Sequence, residues 1–147
     1  MYTSRERVPV NTSVRINRAI ARSIEENVRY FARRPEQIPQ RLRELDEEWD
    51  IERAIQANAA VAGFMGLLLG TAGRKRWLVV PGLVSIFLFQ HAVQGWCPPV
   101  PVLRRMGFRT SFEIERERHA LKALLGDYQV VADAEDRVAA ALQAVER

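Results

Sequence analysis

The chain has 147 residues, of which 27% are charged and 48% hydrophobic, with a formal net charge of +4 and one cysteine. That length suits one ordinary domain, and the composition excludes a disordered tail protein, a disulfide-stapled mini-domain and a collagenous repeat. Charge is confined to residues 1–53, 74–76 and 104–147, so residues 54–73 and 77–103 carry none.

Residues 1–11 are polar, contain Pro9 and read as a flexible N-terminus. The first 53 residues are too dense in charge to hold a secretory leader. Asn11, Thr12 and Ser13 are good helix N-caps. After them Ile16, Ile20, Ile24, Val28 and Phe31 recur at helical spacing, opposite Arg15, Arg18, Arg22, Arg29 and Arg33. A basic amphipathic helix suits an anionic membrane surface, and the same stripe suits ordinary packing against the rest of the chain. Arg34-Pro35 and Pro39 break this helix, and a second helix restarts near Pro39. Its stripe is Ile38, Leu42, Leu45 and Trp49, beside an acidic face of Glu44, Asp46, Glu47, Glu48, Asp50 and Glu52. Residues 12–53 thus read as amphipathic helices. Nothing between Arg41 and Arg74 looks like a terminator, so the second helix is expected to run on unbroken.

Residues 54–73 and 77–96 are two uncharged stretches of 20, each able to cover about 30 Å as a helix. Trp77 and Trp96 bound the second, as suits a membrane–water interface. Only Gly73-Arg74-Lys75-Arg76 separates the two, so residues 54–96 are expected to form an antiparallel transmembrane hairpin. Ala62, Gly66 and Gly70 form a small-residue face for close helix packing. Gln56 and Asn58 on the first stretch, and Gln90, His91 and Gln94 on the second, fall at the same end of such a hairpin. They form a candidate intramembrane polar cluster, read as structural glue rather than as a proton relay. Arg74, Lys75, Arg76, Arg104 and Arg105 are the candidate membrane-surface basic residues. Eight Arg flank the hairpin (Arg34, Arg41, Arg43, Arg53, Arg104, Arg105, Arg109 and Arg116) against three Lys/Arg in the loop. This bias puts both termini in the cytoplasm.

Residues 95–109, GWCPPVPVLRRMGFR, form a Cys-Pro corner (97–109) after the second span. Together with Trp49-Asp50-Ile51-Glu52-Arg53 and the small-residue first helix, this corner resembles the YgaP-like inner-membrane family, over roughly residues 49–110. The resemblance implies a two-helix hairpin in the bacterial inner membrane that mediates dimer contacts. The family's best-known member adds a rhodanese sulfurtransferase domain. This chain lacks that domain, and PPVPVLR after Cys97 is not the glycine-rich loop that cradles a persulfide, so sulfur transfer is not carried over. Cys97 is a candidate thiol site, able to accept a lipid chain or a sulfane sulfur if Arg104 and Arg105 favour its thiolate. The reading preferred over that one is a small buried apolar group in a tight turn, because reactivity needs an exposed, low-pKa setting.

Thr110 to Glu113 matches a capping box, followed by a stripe of Ile114, Leu121 and Leu125 and a stop at Gly126. Asp127 is placed to cap a last helix with Val131, Ala134, Val138, Ala141 and Val145 in register. Residues 110–147 are therefore expected to be cytoplasmic helices. The fold expected is all-α: a two-span transmembrane hairpin flanked by amphipathic cytoplasmic helices.

No catalytic constellation, phosphate loop or metal spacing appears, so no catalytic residue, metal or cofactor is expected. The function expected is that of a non-enzymatic integral membrane protein. It would homo-oligomerise through its hairpin in the lipid bilayer and present helices to a cytoplasmic protein partner. The alternative is a thiol or sulfur relay through Cys97 serving a separate sulfurtransferase. Nucleic acid is disfavoured as a partner, because isoleucines interleave the N-terminal arginines where base stacking would want aromatics.

Overall fold

In the computed structural model, which describes residue 3, residues 5–134 and residues 136–146, every regular element is helical. In chain order they are α1 (Arg7–Val10), α2 (Val14–Ala32), α3 (Ile38–Glu47), α4 (Ile51–Thr71), α5 (Val79–Gln94), α6 (Val100–Arg105), α7 (Ser111–Leu125), α8 (Asp127–Asp133) and α9 (Arg137–Glu146). Short 3-10 turns at Pro35–Gln37 and Lys75–Leu78 precede α3 and α5. The chain divides into two compact units, residues 1–20 with 49–112, and residues 21–48 with 113–147.

The first unit is built on the hairpin of α4 and α5. Asp50 has extended backbone angles, and its carboxylate accepts the Arg53 amide at 2.6 Å, so it caps α4. The expected unbroken helix is therefore wrong: α3 ends at Glu47, and Glu48–Asp50 are not helical. Trp49 falls in that break and is 46% exposed, so it does not complete the buried stripe; instead it stacks under the Arg53 guanidinium at 4.5 Å. The Ile51 amide donates to the Arg109 carbonyl at 2.8 Å, tying the start of α4 to the segment after α6. Val8, Ile51, Ala54, Ile55, Cys97, Val100 and Leu103 form the unit's core. Val8, at 2% exposure, takes part of the N-terminal segment out of the flexible class: residues 7–10 are a seated helical turn.

The second unit's core is Ile38, Leu42, Leu45, Ile114 and Leu121, with Val28 and Phe31 packed on it. The α2 stripe thus turns inward, Ile20 and Ile24 being buried as well, while Arg15, Arg18, Arg22, Arg29 and Arg33 face solvent. Glu117 is fully buried and accepts from Arg41 Nε at 2.9 Å and Asn27 Nδ2 at 3.2 Å. Removing one partner of such a buried pair typically costs about 3–5 kcal/mol. Leu125 is 40% exposed at the end of α7 and leaves the stripe.

The last helix is also corrected, because it is two. Ala134 is extended, and Asp136 accepts the amides of Val138 and Ala139 at 3.1 and 3.0 Å, starting α9 afresh. The break rotates the face: Val138 is exposed, and Ala144 is buried instead. The side chain of Val145 lies outside the described residues.

Candidate functional site

Small residues decide how α4 meets α5. A Cβ added at Gly66 would lie 2.8 Å from both Pro81 Cδ and Val80 Cβ, and one at Gly70 would lie 2.4 Å from Leu78 Cδ2. Both glycines are buried, so this part of the small face is consumed inside the hairpin, near its loop. Ala62 remains exposed. Arg74, Lys75 and Arg76 are all exposed at the turn.

The other end of the hairpin, its foot, carries most of the polar chemistry. Gly95 adopts φ 71°, and its missing Cβ admits the Arg7 backbone, whose carbonyl carbon would otherwise be 2.5 Å away. The segment around α1 is thereby laid across the end of α5. Arg7 Nη1 donates to the Ala92 carbonyl, and Asn11 Nδ2 donates to the Gln94 carbonyl at 2.9 Å. Two carbonyls of α5's last turn, which lack helical partners, are satisfied this way, one of them by a cation suited to that end of the dipole. Asn17 bonds outward in both directions: its Nδ2 donates to the Pro9 carbonyl at 2.8 Å, and its Oδ1 accepts from Arg104 Nη2 at 3.0 Å.

Arg104 is 1% exposed and also donates to the Phe108 carbonyl at 3.1 Å. It is a buried strut, so its expected place among the membrane-surface cations is corrected; Arg105 is exposed. Nothing in its own neighbourhood of sequence announced this, because its partner Asn17 lies 87 residues away.

The five polar residues of the hairpin do not form a cluster. Asn58 Nδ2 bonds its own helix at the Ala54 carbonyl, 2.8 Å away, and Gln56 is exposed. Gln94 contributes its backbone carbonyl, and His91 is buried with Nδ1 unpartnered. Among the described residues no hydrogen bond joins any two of these side chains. Gln56 and Gln94 are exposed whereas His91 is buried, so the five side chains do not share one environment.

Sequence reasoning missed Glu52, half-buried at the foot with one carboxylate oxygen unpartnered. Burial pushes its carboxyl above the usual range, against the pull of hydrogen bonds from backbone amides and of the nearby Arg7 charge.

Cys97 is 2% exposed, and the Val100 amide bonds its carbonyl at 3.0 Å to form the corner. Burial pushes its thiol upward, and no arginine opposes this. The expected thiolate assistance from Arg104 and Arg105 is absent, and a protonated, sheltered thiol is poorly suited to nucleophilic or sulfur chemistry. Cys97 forms the floor of a cleft of about 390 Å³ between α4 and α5, with Pro98 and Pro99 beside it and Asn58 as the polar member of an otherwise apolar wall.

Among the described residues no three His, Cys, Asp or Glu side chains are placed to hold a metal ion. Among the described residues two helical stretches, Pro35–Thr71 and Lys75–Gln94, are long and apolar enough to cross a membrane. The chain matches no known protein family, no curated protein and no solved structure.

Proposed function

We propose that the chain is a non-enzymatic integral protein of the bacterial inner membrane, its α4–α5 hairpin crossing the bilayer and its other helices serving a cytoplasmic protein partner. The observation carrying this reading is the outward face of the hairpin. Val61, Phe64, Leu67, Ile86 and Phe89 are each more than half exposed, on helices whose apolar stretches reach spanning length. A core helix of a soluble protein would bury such side chains, whereas a bilayer receives them at no cost. The surplus of arginine outside the hairpin supports a cytoplasmic location for both flanks.

In this reading, association of copies uses the hairpin's outer faces rather than Gly66 and Gly70, which are already occupied. Gly63 and Gly82, with nothing within 4 Å of where a Cβ would sit, leave room for a neighbouring helix. Alkaline carbonate extraction of membranes, combined with protease digestion of intact and opened vesicles, tests the proposal. The chain is expected to stay with the membrane pellet and both flanks to be cut only from the cytoplasmic side. Recovery of the chain in the carbonate supernatant would overturn the proposal.

A further inference from the structure

The α4–α5 hairpin is tapered. At the loop end Gly66 closes on Val80 and Pro81, and Gly70 closes on Leu78. Toward the foot, small Ala59 and Ala62 face Val84, Phe87 and Leu88 and leave the cleft of about 390 Å³ open above the Cys97–Pro99 floor. We propose that this cleft holds the head-proximal stretch of one acyl chain of a bilayer phospholipid, an inference that rests on insertion of the hairpin.

Three features of the cleft select that occupant. Its size lies at the lower end of the roughly 300–1,000 Å³ of ordinary ligand pockets. Along α4 it runs from Ile55 to Ala62, on the order of 10 Å of helix, about a third of the hydrocarbon thickness. A second copy's helix does not fit: packed helices stand about 8–10 Å apart, while a helix with side chains is about 10–12 Å across. A single hydrocarbon chain is narrow enough.

Water is a poor occupant, because a held water needs two or more polar partners. Asn58 is the polar side chain of the wall, and one of its two amide hydrogens is committed to the Ala54 carbonyl. The cleft is also continuous with the hairpin's lipid-facing surface, being flanked by exposed Val61 on α4 and Leu83 on α5. Charge resumes at the foot with Arg53 stacked on Trp49, so the phosphate-bearing head would sit at that level and the tail would point toward the loop.

The test uses the full chain in phosphatidylcholine vesicles doped with a phosphatidylcholine carrying a diazirine part-way along one acyl chain. Irradiation is followed by peptide mapping. Adducts on Ile55, Ala59, Leu88 and Cys97 are expected to exceed those on outward-facing Phe64, Leu68 and Phe89 by about tenfold, the signature of a site preferred over bulk lipid by 1.4 kcal/mol. Ala59→Phe, and independently Ala62→Leu, are expected to reduce the cleft adducts to the outer-face level and leave the outer-face adducts unchanged. Equal labelling of cleft and outer face, untouched by either variant, overturns the inference and leaves the membrane reading standing. Labelling of neither face overturns both. Cross-links through the cleft to a second copy would show a protein occupant and overturn the inference.

Discussion

Iodoacetamide alkylates thiolates, so a thiol kept protonated by burial reacts slowly, and Cys97 meets both conditions. Alkylation of the native protein in mild detergent near neutral pH is expected to run at least about tenfold slower than after denaturation in dodecyl sulfate. Equal rates would restore the thiol-relay reading. Glu52 carries a second prediction at this scale. Its folded pKa is raised by burial, so the neutral acid fits the fold better than the carboxylate. The associated stability is complete below the ordinary carboxylate range and is lost as pH rises through the folded value. Glu52→Gln mimics the neutral form, and its melting temperature in detergent is expected to change less than that of the parent between about pH 4 and about pH 8. A steeper change in the variant would mean that attraction to Arg7 outweighs desolvation.

Among elements, the hairpin separates two kinds of glycine. At Gly66 the atoms that a side chain would strike belong to a proline ring and a β-carbon, neither of which can swing away. Gly66→Leu is expected to destabilise the hairpin by about 1–3 kcal/mol, the usual range for overpacking. Gly63→Leu, in open space, is expected to remain within about 0.5 kcal/mol of the parent. Denaturant titration of both variants in detergent checks the contrast. The hairpin itself was readable in the sequence, because a run of 20 uncharged residues and a four-residue basic turn leave few alternatives. The capping triplet before α2 and the proline break before α3 were readable for the same local reason. The stop at Asp50 was not, since one more acid in an acidic run looks like surface until its carboxylate is seen on the Arg53 amide. The division of α8 from α9 was hidden in the same way, Asp136 being one of several acids in that segment.

For the whole molecule, what the sequence concealed is contact between distant segments. In sequence Arg104 looks like its exposed neighbour Arg105, and its bonds to Asn17 and the Phe108 carbonyl reveal it as internal. Topology is the prediction that belongs to this scale. In a chain carrying Cys97→Ser, Lys75→Cys is expected to take up a membrane-impermeant maleimide from outside intact cells, and Arg22→Cys only after permeabilisation. The opposite pattern would invert the orientation and move the partner-facing helices to the other side.

The seat of the α1 segment on Gly95 imposes an order on biogenesis. Asn11 is polymerised 83 residues before Gln94, whose carbonyl it is to hold. Until then the arginine-rich leading stretch emerges without its final resting place, open to chaperones and targeting factors. A segment made before α5 is thus among the last to settle, so a bulky insertion beside it would be felt at the close of assembly rather than at its start.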